Sequence, residues 1–163
     1  MDSERSKATQ PDAIGVLGGT FDPIHVGHLL LAEQAREQLG VGRILFIPSA
    51  RPPHKLTDPV TDPEHRFAMA LLATADNPHF VVSRRELQRQ GPSYTIATIR
   101  ELSAEGHAPV FWIVGADAAL DLPNWFEADA ILSEATVVAA ARPGFDLARL
   151  EAVLGPDRSG RIR

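Results

Sequence analysis

Five short apolar runs, each followed by a turn and then by residues at helical spacing, limit this chain to very few architectures. Ile14–Leu17, Arg43–Pro48, Phe80–Ser83, Pro109–Val114 and Ala135–Ala141 are too short for helices and lack the alternation of a half-exposed strand. Such runs belong to strands covered on both faces. Between them lie segments with apolar residues at intervals of three and four. The first opens near Val26, carries Leu29, Leu30, Ala32 and Ala35, and stops at Gly40. The second opens at Asp62-Pro63-Glu64, presents Phe67, Ala70, Leu71 and Ala73 inward, and ends at Asn77-Pro78. Ser93 begins a third, with Ile96, Ile99 and Leu102, ending at Gly106. A short helix is expected over about Trp125 to Leu132 and a last one over Asp146 to Leu154. Strand and helix in alternation predict an α/β fold: a three-layer, Rossmann-like, doubly wound sheet, mainly parallel, of about five strands with helices on both faces.

At 163 residues the chain has room for one such domain, expected over 14–163, and the polar residues 1–13 read as a disordered leader. It has no cysteine, no apolar span of membrane length and no signal-peptide core, so a cytoplasmic location is expected, with no membrane partner. The net charge of −5 and the lack of a basic run argue against nucleic acid. An anionic substrate would need a local positive patch.

In open α/β sheets ligands bind at the carboxyl ends of the strands, so those loops carry the functional reading. The first is Gly18-Gly-Thr-Phe-Asp-Pro-Ile-His-Val-Gly-His28. A strand, a glycine pair, a turn at Asp22-Pro23 and a helix N-terminus make an anion pocket from main-chain N–H groups and the helix dipole. His25 and His28, three apart, share one helix face there and can meet the same phosphate chain. The run is neither G-x-x-x-x-G-K-[ST] nor G-x-G-x-x-G, and the second strand ends in Pro48-Ser49 rather than an acid for a ribose hydroxyl. A P-loop enzyme and a nicotinamide-dependent dehydrogenase are thereby disfavoured. Zinc on His25 and His28 lacks a third ligand at motif spacing, so no metal site is assigned.

The second loop holds His54 and Lys55 behind Pro52-Pro53, where a stiff lead-in would present the lysine charge to a phosphate. In the third, Ser93 can cap a helix whose first N–H groups, at Tyr94 and Thr95, would seat a small carboxylate. The fourth is Gly115-Ala-Asp117, where Gly115 admits a ligand to the main chain and Asp117 can accept from ribose hydroxyls. Trp125, on a loop after Pro123-Asn124, suits ring stacking as well as core packing.

The block from Gly18 to His28 resembles the signature of the (H/T)-x-G-H nucleotidyltransferase superfamily, in the Ile-His-x-Gly-His form of the bacterial nicotinate-nucleotide adenylyltransferases. Pro52-Pro-His-Lys55, Gly91-Pro-Ser-Tyr-Thr95 with Thr98, Gly115-Ala-Asp117 with Trp125, and Arg142-Pro-Gly144 are similar to that family's further blocks, in order. The resemblance implies adenylyl transfer from ATP to nicotinate mononucleotide, with pyrophosphate released. By it, His25, His28 and Lys55 are catalytic; Gly18, Gly19, Thr20, Phe21, His25, His28, Gly115 and Asp117 bind ATP; and Lys55, Tyr94, Thr95 and Trp125 bind nicotinate mononucleotide. Tyr94 and Thr95 would seat the carboxylate and Trp125 would stack on the pyridine ring. Mg²⁺ would be bound through the ATP phosphates. The implied partners are these small molecules, and a homo-oligomer is left open. Pantetheine-phosphate adenylyltransferase, a sister family that usually has threonine where this chain has His25, is the alternative. A serine- and threonine-rich phosphate-binding turn that closes the family pattern is missing here, and Arg161-Ile-Arg163 reads as the start of an unfinished strand. Truncation is therefore expected, with a non-catalytic nucleotide-binding module as the reading if turnover is lost.

Overall fold

The computed structural model describes residues 12–51, 57, 59–141 and 146–162. Five strands form one wholly parallel sheet: β1 (Ile14–Gly19), β2 (Ile44–Pro48), β3 (Phe80–Val82), β4 (Val110–Gly115) and β5 (Thr136–Ala140), in the order β3-β2-β1-β4-β5. Eight helices accompany them among the described residues: α1 (Val26–Leu39), α2 (Pro63–Thr74), α3 (Arg85–Gln88), α4 (Thr95–Ala104), α5 (Ala116–Asp121), α6 (Ala128–Glu134), α7 (Leu147–Leu154) and α8 (Pro156–Ser159).

Side-chain alternation along the buried strands makes two cores. Val16, Leu45, Ile47 and Trp112 face Ile96, Ile99 and Leu102 of α4 together with Ile131 of α6. Leu17, Ile44, Phe46 and Ile113 face Ala32 and Ala35 of α1 and Ala70 of α2. Sheet and two helical layers give the three-layer, doubly wound α/β fold. Ile44, Phe46, Ile47 and Ile113 are wholly buried, each contributing about 1.5–3 kcal/mol of transfer free energy. Residues at the expected edge of the leader are already part of this body: Ala13 is buried and Asp12 accepts from the Ala108 N–H at 3.1 Å.

β1 runs on through both glycines, because Gly18 and Gly19 stay in register with Ile47 and Pro48. The glycine pair is strand, and the turn comes after it. On α2 the expected inner face is corrected. Leu71 and Ala73 are exposed, and the buried stripe is Arg66, Phe67, Ala70 and Thr74. Arg66 is accepted inside because two of its three guanidinium nitrogens are bonded. Nη1 donates to the carbonyls of Thr20 at 2.6 Å and Ser49 at 2.8 Å, and Nε donates to that of Thr61 at 2.8 Å. Thr74 likewise donates its hydroxyl to the Ala70 carbonyl, 2.8 Å away. Leu30 of α1 is exposed too, and Leu29 and Leu31 pack on the core in its place.

Three short helices were not foreseen: α3 and α8, each of four residues, and α5 of six, none with a periodic pattern to reveal it. The helix expected from Trp125 begins later, at Ala128, because Leu122–Asn124 form a 3₁₀ turn that leaves Trp125 extended. Ile162 forms an isolated parallel bridge to Val137 of β5. Among the described residues no helix is long and apolar enough to cross a membrane.

Candidate active site

The strand order reverses between β1 and β4, and a cleft of about 950 Å³ opens at their carboxyl ends. A crevice at such a switch point is where open α/β sheets bind ligands. Three walls enclose it.

The first wall is the end of β1 and the start of α1. Gly18, Gly19, Thr20, His25, Gly27 and His28 all line it. Trp112 lies directly beneath Gly18, where a Cβ would stand 2.9 Å from the indole, so only glycine leaves the wall open to a ligand. Gly27 serves His25 in the same way, since a Cβ there would lie 3.0 Å from the His25 ring. The two imidazoles are 3.8 Å apart between centroids, inclined by 30°. The His25 N–H donates to Nδ1 of His28 at 3.1 Å. The neutral His28 ring therefore carries its proton on Nε2. Burial, and after it the neighbouring His25, holds His28 below the usual imidazole range. At neutral pH His28 is thus a hydrogen-bond donor rather than a cation.

Phe21 is a correction to the expected ATP contacts. It is buried beneath the wall instead of lining it, with its ring edge-on to His28 at 5.0 Å. Its φ of 50° costs a non-glycine residue roughly 1–2 kcal/mol, offset by the burial of its phenyl ring.

The second wall is the entry to α4, with Glu86 of α3, Ser93, Tyr94 and Thr95. Ser93 does not cap the helix as expected. Tyr94 holds the cap position and no side chain caps it, while the Tyr94 N–H is already donated to the Pro92 carbonyl at 3.1 Å. Ser93 is buried, and its Oγ accepts from the Arg51 N–H at 3.4 Å. Thr98 points into the core and donates to Oε1 of Glu86 at 2.7 Å.

The third wall carries Gly115, Ala118, Trp125 and Phe126. Trp125 is half-buried, packed against the core on one side and open to the cleft on the other. Gly115 runs straight into α5, so the expected loop is a helix start. Asp117 is exposed in its first turn, away from the residues that line the cleft. The cleft also includes Phe126, stacked on Tyr94 at 4.5 Å and 28°. Sequence reasoning passed over Phe126, Trp112 and Glu86. The aromatic pair Trp125-Phe126 was the available signal for the first. Lys55, His54 and Arg142–Gly144 lie outside the described residues.

Residues 16–160 match the cytidylyltransferase-like family. The nicotinate-nucleotide adenylyltransferase of Moorella thermoacetica is 50% identical over 145 residues, covering 88% of this chain and 67% of that protein. That of Symbiobacterium thermophilum is 50% identical over 155 residues, covering 92% and 74%. The chain thus spans about two thirds to three quarters of the length of these curated relatives. Among solved structures, Plasmodium falciparum nicotinic acid mononucleotide adenylyltransferase complexed with NaAD aligns with a TM-score of 0.70 at 18% identity. That alignment covers 86% of this chain and 70% of the other, and it establishes the fold. With the family match and half-identical relatives on this fold, the chain belongs to the cytidylyltransferase-like family and, within it, to the nicotinate-nucleotide adenylyltransferases.

Proposed function

We propose that the chain transfers the adenylyl group of ATP to nicotinate mononucleotide, giving nicotinate adenine dinucleotide and pyrophosphate. The observation that carries this reading is a pair of imidazoles at a glycine-walled helix N-terminus, facing across one cleft an uncapped helix start and a half-buried indole. The first set suits a polyphosphate, and the second suits a flat ring bearing a carboxylate.

In the reaction a phosphate oxygen of the mononucleotide forms a bond to the α-phosphorus of ATP. The bond from that phosphorus to the bridging oxygen breaks, and pyrophosphate leaves with the electron pair. The attacking oxygen is already anionic, so no strong base is needed and catalysis rests on alignment and charge stabilisation. His28 would donate from Nε2, and His25 and the main chain of Gly18, Gly19 and Thr20 would meet the remaining phosphate oxygens. Lys55 would add a full positive charge from the loop after β2. ATP would enter as its magnesium complex, the cation held through the ATP phosphates and supplying charge to counter theirs. Gly115 would lie against ATP, and Asp117 is retained as a ribose contact from the first turn of α5. Tyr94, Thr95 and Trp125 would hold the nicotinate moiety.

Pyrophosphate release from MgATP with nicotinate mononucleotide, nicotinamide mononucleotide and phosphopantetheine as acceptors tests the proposal. Turnover with the nicotinate acceptor well above the other two is the expected result. Turnover only with phosphopantetheine, or ATP binding without turnover on any acceptor, rejects it.

A further inference from the structure

Behind the second wall of the cleft sits a buried carboxylate with no part in the chemistry above. Glu86 is 4% exposed, and its Oε1 accepts from the hydroxyl of Thr98 at 2.7 Å. Thr98 is wholly buried, and its oxygen also receives Nη2 of Arg89 at 3.0 Å, which in turn reaches Glu101 at 2.7 Å. Ser93 and Thr98 bracket the first turn of α4, five residues apart; Glu86 fastens that turn at Thr98, and Ser93, buried at its other end, also favours the charged carboxyl. Ser93 is tied back as well to Arg51 at the exit of β2, in both directions: its N–H donates to the Arg51 carbonyl at 3.1 Å, and its Oγ accepts the Arg51 N–H.

Neutral side chains could brace a helix start without the cost of burying an acid. Burial pushes the Glu86 carboxyl up from its ordinary range, against the hydroxyl bonds and Arg89, which pull it down. What a carboxyl offers here is reach and two acceptor oxygens, one of them bonded to the Thr98 hydroxyl. An uncapped helix start would otherwise fray, since no side chain at the cap position holds it.

We propose that Glu86 is a positioning residue for the acid-bearing substrate, holding Thr98 so that the Tyr94–Thr95 turn keeps the shape that receives a carboxylate. This rests on the assignment of nicotinate mononucleotide as acceptor. Its effect should be confined to that substrate, because the phosphate wall is built from β1 and α1 and, among the described residues, no hydrogen bond joins it directly to this network.

The test is steady-state kinetics of Glu86→Leu and Glu86→Gln, varying the mononucleotide and MgATP separately, with thermal unfolding alongside. Glu86→Leu should raise the KM for nicotinate mononucleotide about tenfold while the KM for ATP stays within about twofold. Glu86→Gln, whose amide oxygen still accepts from Thr98, should return most of that loss. Should Glu86→Leu fail to fold, Thr98→Val removes the same fastening from the other partner and should raise the mononucleotide KM about threefold. Equal rises in both KM values, an unchanged mononucleotide KM in a folded Leu or Val variant, or a Gln variant no better than Leu would each overturn the proposal. Absence of turnover with nicotinate mononucleotide in the unaltered chain would instead sink the assignment of the acceptor.

Discussion

The main-chain N–H of His25 donates to Nδ1 of His28 across 3.1 Å, so the second imidazole is held in one tautomer by the first residue of its own motif. A proton added to Nδ1 would remove that bond and set a charged ring 3.8 Å from the other imidazole. His28 is already held below the ordinary imidazole value of 6.5 by burial and by His25. Turnover should therefore fall on the acid side, with a midpoint below 6.5 in the free enzyme, and stay flat through neutrality. The stability sign follows from the same shift. Between the lowered native value and 6.5 the unfolded chain binds more protons, so stability rises with pH across that window and levels off above it. An NMR titration of His28 midpoint at or above 6.5 would contradict both statements. Replacing His28 with Ala should cut kcat about a hundredfold, roughly the loss seen when one transition-state donor is removed, and shift Tm little.

Gly27 separates function from stability. An alanine there gains up to about 1 kcal/mol of helix propensity, yet its Cβ would press on the His25 ring from 3.0 Å. Gly27→Ala should keep or raise Tm while lowering kcat about tenfold. A variant with full activity would show that His25 can turn aside without cost.

Trp125 is half-buried and lines the third wall of the cleft. Trp125→Ala should raise the KM for nicotinate mononucleotide at least tenfold, in line with about 1.5 kcal/mol of ring stacking. An unchanged KM with a large fall in Tm would make the indole a core residue only.

Arg66 is buried entirely, with three carbonyls bonded to its guanidinium. Arg66→Met fills much of the volume but leaves the carbonyls of Thr20, Ser49 and Thr61 without donors. Urea unfolding should report a loss of roughly 3–5 kcal/mol. A loss under 1 kcal/mol would mean that water replaces the guanidinium.

The sheet was legible because its central strands are apolar, a pattern that two covering layers explain, and Ile44 to Pro48 is buried at every position, whereas the edge strands β3 and β5 are only partly buried. The cradle was legible because glycine, proline and histidine spacing reports main-chain geometry directly. What hid were features set by tertiary partners. Arg66 and Thr74 look like surface residues until the carbonyls that receive them are in place. Leu71 and Ala73 look like core, yet they fall on the solvent side of α2, opposite the stripe of Arg66, Phe67, Ala70 and Thr74. Ser93 looks like a cap, but its hydroxyl accepts from the Arg51 N–H instead. Asp117 reads as a loop residue because nothing in Gly115-Ala116 announces that a helix follows the strand at once.

The anchorage of Arg66 gives the molecule an economy of parts. A single cation fixes the last residue before the left-handed Phe21, the first residue beyond β2, and the point where the long loop returns to α2. The exit of β1, the exit of β2 and the approach to α2 therefore share one hinge pin. Whatever loosens that pin unlatches all three at the same moment.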